Sequence, residues 1–219
     1  MTADLYLDFR PPAGPDYSGL RVLSFWRFVP EVRSEDSEAV VVYLDYENLR
    51  LSFRSEFELE SGHFSPIRLA NLVVSRRRRP SHLIEVRVYR TLSDPVKNAS
   101  RARADIRRAQ RWLRAPRTVF IGRQLRYGHG EKPREKGIDI SLSIDAIIDT
   151  QDELRSIAIL GSRDSDFEPL IETLFSRPGW QRHIEVIGIE GMSRVTLSNT
   201  ELPWCHFISR EDFELIRED

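Results

Sequence analysis

The sequence predicts an α/β domain on a central, mainly parallel sheet of five or six strands, and three observations carry that prediction. Short apolar runs, five to eleven residues long and rich in Val and Ile, recur along the chain. Stretches with helical spacing separate them, as crossovers between parallel strands require. The first run, AVVVYLD at 39–45, is apolar without alternation, the pattern of a strand covered on both faces.

Taken in order, residues 1–38 form an N-terminal extension. Pro11, Pro12, Gly14 and Pro15 break its start, and the polar stretch 34–38 reads as a linker. Between them LRVLSFWRFVP brings Phe25, Trp26 and Phe28 close together. That much aromatic surface is expected to dock on the main domain or on a second copy, making a homodimer. The main domain spans 39–210, and 211–219 is a short C-terminal tail. After the first strand, LIEVRVYR (83–90), RTVFIGRQLRY (117–127), SIAILGS (156–162), HIEVIGI (183–189) and WCHFI (204–208) read as further strands. Helical spacing marks 65–76, 98–114 and 166–175; in the second, Ala102, Ile106, Ala109 and Leu113 share a side. Residues 137–149 are ambiguous: Ile138, Ile140, Leu142 and Ile144 alternate like a strand, yet Ile140, Ile144, Ile147 and Ile148 fit a helix. A helix is expected, because two parallel strands need a crossover there.

Composition narrows the class. A chain of 219 residues buries about 70% of its unfolded surface and needs neither disulfides nor a structural metal to fold. Its single cysteine, Cys205, excludes an internal disulfide framework and a Cys-based zinc cluster, and fits a reducing cytoplasm. The start, MTADLYLDFRPP, has no basic region ahead of an apolar stretch, and no apolar run approaches the ~18 residues of a membrane span. A cytoplasmic, membrane-free protein is expected.

The net charge of −1 conceals a segregation. Residues 76–136 hold 19 Lys/Arg and 5 Asp/Glu, a charge of +14, which leaves −15 on the remainder. Sixteen of those 19 cations are arginine, whose planar fork suits phosphate. A polyanion such as RNA or DNA is the partner class this implies. Candidate contacts are Arg76, Arg77, Arg78 and Arg79, then Arg101, Arg103, Arg107, Arg108 and Arg111 on the helix, and Arg123 and Arg126 leading to Lys136. The competing reading is a solvated loop followed by a helix with a charged outer face.

Ligands of an open parallel sheet bind beyond the carboxyl ends of its strands. Asp45 ends the first run, with Glu47 and Asn48 directly after it; Ser162, Asp164 and Asp166 follow SIAILGS; Asp139 opens the ambiguous helix. Taken alone, Asp164, Ser165 or Asp166, and likewise Asn48, read as helix caps, and Asp139 reads as a partner that neutralises Lys136 or Arg134. If the first and fourth parallel strands are neighbours, however, three segments deliver carboxylates to one edge. Carboxylates so gathered repel one another unless a cation offsets them. All-oxygen ligands without a His/Cys set favour Mg²⁺ or Mn²⁺ over zinc. An acidic metal site beside a basic segment points to phosphodiester hydrolysis.

Three motifs resemble the NYN domain family, the LabA-like branch of the PIN-like metal-dependent ribonucleases. They are VVYLDYENLR around Asp45 and Asn48, REKGIDISLSIDAI around Asp139 and Asp145, and AILGSRDSDFEPLI around Ser162, Asp164 and Asp166. The resemblance runs from about Ala39 to Phe207. It implies a PIN-like three-layer α/β/α sandwich and a Mg²⁺- or Mn²⁺-dependent endonuclease acting on RNA rather than DNA. Asp45, Asp139, Asp164 and Asp166 match the family's acidic metal positions, Asn48 and Ser162 its polar site residues, and Asp145 a further acidic position. Where the family usually has Gly between the Ser and the first Asp of the third motif, this chain has Arg163. That side chain crowds the turn or reaches a scissile phosphate, as Lys136 also could.

Other chemistries fit less well. Cys205 and His206 are adjacent and on a strand point to opposite faces, so they cannot form a nucleophile and base. His63, His82, His129, His183 and His206 lack paired metal-ligand spacing. Phe53, Phe57 and Phe64 read as core rather than as base-stacking residues. Neither a P-loop nor a dinucleotide fingerprint is present. A small-phosphate hydrolase of the HAD or Toprim type lacks its DxD or Glu on the first strand. An RNA-binding module with a vestigial acidic pocket is the main alternative to a nuclease.

Overall fold

Residues 21–24, 37–124, 137–151, 157–176, 183–192 and 203–218 are described by the structure, a computed structural model. Along the chain they form β1 (Arg21–Ser24), β2 (Glu38–Asp45), α1 (Tyr46–Glu56), α2 (Pro66–Ser75), β3 (Ser81–Leu92), α3 (Ala99–Trp112), β4 (Thr118–Gln124), α4 (Ile138–Asp149), β5 (Ile157–Gly161), α5 (Glu168–Phe175), β6 (Ile184–Ile189), β7 (Trp204–Ile208) and α6 (Arg210–Ile216). The strands make one sheet in the order β1-β4-β3-β2-β5-β6-β7. β2 to β7 run parallel, and β1 joins the β4 edge antiparallel.

This order follows from the chain's own path. It steps outward through β2, β3 and β4, then returns to the other side of β2 and steps outward again through β5, β6 and β7. The first and fourth parallel strands are therefore neighbours, and the reversal lies between them, where such sheets bind ligands. Close approach there is built in: a Cβ on Gly161 would stand 2.7 Å from Leu44 Cδ2 and 2.9 Å from Leu49 Cδ1.

Alternation along β2 sends side chains to two cores. Val40, Val42 and Leu44 pack with Leu49, Phe53, Leu69, Trp112 and Phe213 on one face. Val41 and Tyr43 pack with Leu142, Leu170, Ile171 and Leu174 on the other. Three layers result. Phe53, Phe57 and Phe64 belong to the first core, Phe64 stacked on Tyr46 with centroids 4.6 Å apart. Residues 211–216, set apart with the tail, form α6 together with Arg210; a Ser209–Asp212 capping box starts it, and Phe213 and Ile216 are buried.

Residues 138–149 are helical, but the helix is rotated from its isoleucine stripe. Ile138, Leu142, Ala146 and Asp149 face the sheet, while Ile140, Ile144 and Ile148 are exposed. Polar clamps set that rotation. Tyr43 Oη donates to Asp149 Oδ2 (2.7 Å), Tyr89 Oη to Asp145 Oδ2 (2.6 Å), and Arg87 Nη2 lies 2.8 Å from Asp149 Oδ2. Ile106 is likewise exposed, although it shares a side with the buried Ala102 and Ala109. The aromatic residues 25, 26 and 28 lie outside the described residues.

Candidate active site

Asp45 is both the last residue of β2 and the N-cap of α1, so its carboxylate leaves the sheet at the point of reversal. One oxygen accepts the Asn48 amide N–H (3.3 Å), and the other accepts the Ser162 hydroxyl (3.0 Å). Ser162 follows β5 and is buried; its oxygen accepts the Asp164 N–H at 3.1 Å. Asn48 Oδ1 in turn accepts the Arg163 N–H at 2.9 Å. Two loops 115 residues and more apart in sequence are thus stitched together by neutral donors.

Asp164 caps the short 3-10 turn at Ser165–Phe167, accepting the Asp166 N–H at 3.0 Å. The cap reading of Asp164 is correct, whereas at the first motif the cap is Asp45 and not Asn48, which lies inside α1; neither cap competes with a site, since each carboxylate oxygen has more than one lone pair. Asp139 enters from α4, whose start at Gly137 has φ +79°, a backbone that side chains strain. Burial, followed by the charges of Asp164 and Asp166, pushes the Asp139 carboxyl above its ordinary range. The motifs therefore meet: Asp139 faces Asp164 and Asp166, and Ser162 ties that group to Asp45.

Among the described residues no three His, Cys, Asp or Glu side chains stand close enough to hold a metal as they are. The donors are nonetheless of the right kind for a hard divalent cation, being carboxylates of like charge with no thiol or paired imidazole. Asp139, Asp164, Asp166 and Asp45 are the residues that could supply them. Arg163 neither disrupts the turn nor leaves it open: its N–H holds Asn48, and its Nη1 donates to Ser52 Oγ at 3.4 Å.

Asp145 takes another part. Bonded by Tyr89 and 3.8 Å from Arg87, it holds α4 onto β3, six residues beyond Asp139. A second brace lies beside Asp45 and was not singled out from the sequence. Glu47 accepts from Arg50 Nη2 at 2.6 Å and lies 3.4 Å from Arg90 Nε, while Arg90 Nη2 lies 3.0 Å from Asp105. Burial works to raise the Glu47 carboxyl, but Arg50, Arg90 and Arg101 outweigh it and hold it low. Two arginines inside the run LIEVRVYR, on a strand covered on both faces, were the signal for both braces.

The arginine run divides. Arg76, Arg77, Arg78 and Arg79 lie between α2 and the start of β3, not at the aspartates. Arg76 pairs with Asp212, Arg77 with Glu185 and Glu38, and Arg79 with Glu38, while Arg78 stacks 4.6 Å from the Trp204 ring centre. Arg101 acts on Glu47, and the Arg123 guanidinium lies beside Gly137, so these two approach the site. Arg103 and Arg107 are exposed on α3; Arg108 and Arg111 act on Glu218 instead. Lys136 and Arg126 lie outside the described residues. His206 is buried against Glu185 and His63 faces Tyr46, so neither joins the aspartates; His129 lies outside the described residues.

Residues 39–201 match the family model described as NYN domain. Among solved structures, the chain is similar to a protein of unknown function, VPA0982, from Vibrio parahaemolyticus RIMD 2210633. The identity is 19% and the TM-score 0.54, over 83% of this chain and 98% of the other. That likeness concerns the fold alone. No curated protein matches.

Proposed function

This chain belongs to the NYN domain family, within the PIN-like nuclease superfamily, and from that premise we propose that it is a Mg²⁺- or Mn²⁺-dependent endoribonuclease of the cytoplasm. The observation that carries the reading is the meeting of three separate motifs at the sheet's point of reversal, with Asp139 facing Asp164 and Asp166 and Ser162 bonded to Asp45. A bound divalent cation would polarise the phosphoryl oxygen and lower the pKa of an attacking water. Asp139, Asp164, Asp166 and Asp45 would hold it. Asn48 and Ser162 fix the Asp45 carboxylate and the Asp164 turn, so the donors are oriented before substrate arrives. Arg101 and Arg123 would draw the RNA backbone towards that edge.

The test is cleavage of a mixed single-stranded and structured RNA pool with Mn²⁺, Mg²⁺ or EDTA, comparing the wild type with Asp164→Asn. Metal-dependent cutting by the wild type alone is the expected result; equal cutting by both defeats the reading. One observation favours a second reading, a catalytically silent RNA-binding module: the aspartates are not gathered into a ready ligand trio. Salt-sensitive RNA binding that survives EDTA, with no cutting under either metal, would select it.

A further inference from the structure

Away from the aspartates, an open pocket of about 390 Å³ lies where α2 begins, α3 ends and β4 starts, walled on one side by Arg217 and Glu218. Its charged lining is mostly cationic: Arg68, Arg111 and Arg217, the last also paired with Glu214, against Glu218 as the single carboxylate among the lining residues. Ser65 caps α2 without a side-chain hydrogen bond, and Pro66 follows at the first helical position. The next amides, of Ile67 and Arg68, have no acceptor within the helix and give that end a partial positive charge. A third observation is independent of charge. Thr118 is a lining residue that is 4% exposed, and its buried hydroxyl has no hydrogen-bond partner among the described residues. Glu218 Oε1 accepts from Trp112 Nε1 at 2.9 Å, whereas its buried Oε2 accepts no hydrogen bond from the described residues and has Arg108 Nε 3.9 Å away.

We propose that this pocket binds a phosphate-bearing nucleotide. The phosphate is held by Arg68, Arg111 and the start of α2, a helix end with fitted guanidinium groups being a ready anion site. Bare phosphate leaves most of the volume unfilled and gives Glu218 nothing but repulsion. A nucleoside supplies the N–H and O–H donors that Glu218 Oε2 and the Thr118 hydroxyl lack, and it packs against Pro66 and Ile67. Free nucleotide and the phosphorylated end of an RNA strand present the same chemistry. The proposal stands apart from the nuclease reading, since the pocket contains none of the four aspartates and needs no metal.

The experiment is isothermal titration of the full chain in EDTA with inorganic phosphate, AMP, and one oligoribonucleotide carrying either a 5′-phosphate or a 5′-hydroxyl. AMP is expected to bind more tightly than phosphate, and Arg68→Ala/Arg111→Ala to weaken it at least tenfold with unchanged circular dichroism, both arginines being exposed. Thr118→Val is expected to weaken it a few-fold, and Asp164→Asn not at all. Preference for the 5′-phosphorylated oligonucleotide assigns the site to RNA ends; equal binding of the two assigns it to free nucleotide. No AMP binding at millimolar concentration, or binding unmoved by the double substitution in a folded protein, overturns the proposal.

Discussion

The two ends of the sheet carry the same residue types arranged to opposite effect. At the amino end, the Arg77 side chain is 5% exposed and is shared between Glu185 and Glu38; Arg79 also reaches Glu38, and His206 closes on Glu185 at 2.7 Å. Both of these acids, Glu38 and Glu185, have a base. At the carboxyl end, Asp139 feels the charges of Asp164 and Asp166, and the hydrogen bonds that orient Asp45 and Asp164 come from backbone amides and a hydroxyl. A paired cluster holds elements of the protein together, whereas carboxylates of like sign brought near one another raise each other's proton affinity unless a cation offsets them. Counting charges along a chain does not separate the two; finding their partners does.

Substitutions at each end sharpen that contrast. The largest effect is expected at the carboxyl end: Asp164→Asn and Asp45→Asn lose several kcal/mol of transition-state stabilisation, about 100-fold or more in cleavage rate. Gel-resolved RNA cleavage checks this, with circular dichroism to show that both variants fold. At the amino end, Glu185→Ala leaves a buried arginine and histidine short of their carboxylate. It is expected to cost about 3 kcal/mol in urea unfolding, with cleavage per folded molecule unchanged. Asn48→Ala breaks the bond to the Arg163 N–H and is expected to cost about 1 kcal/mol while lowering cleavage roughly tenfold; loss of stability without loss of rate would make Asn48 a brace only.

The smallest effect concerns pH. Burial, and then Arg108, Arg50 and Arg90, push the His63 imidazole down to about 3 from its ordinary 6.5. Between those values the unfolded chain binds a proton that the folded chain refuses, so stability falls as pH drops through that window. His63→Gln is expected to flatten part of that fall, measured as thermal midpoint against pH from 7 to 4. An unchanged slope would mean that the carboxylates alone govern acid unfolding.

Much of this was legible in the sequence. The apolar runs marked all six parallel strands, because a strand covered on both faces tolerates little else, and the crossover argument made 138–149 a helix. The rotation of that helix was not legible, since it depends on Tyr43, Tyr89 and Arg87 meeting Asp149 and Asp145 across the fold. The aspartates were legible as strand-end residues, but their meeting depended on β2 lying beside β5. The ion pairs of the RRRR run were not legible for the same reason: its partners Glu38, Glu185 and Asp212 come from three distant segments. Thr118 and Glu218 carried no signal, because a pocket lining has no periodicity.

One margin of the sheet is closed by the chain itself. Through Arg21–Ser24 paired with Val119–Gly122, β1 occupies the ladder that β4 would otherwise offer to any passing strand. A protein shortened past that segment exposes a raw β edge of the kind that seeds intermolecular pairing. The other margin, β7, has the Arg78 guanidinium over Trp204, a fixed charge where a neighbouring molecule would add. The N-terminal strand therefore acts as a selvedge: through its backbone alone, a four-residue segment keeps that margin from pairing with another chain.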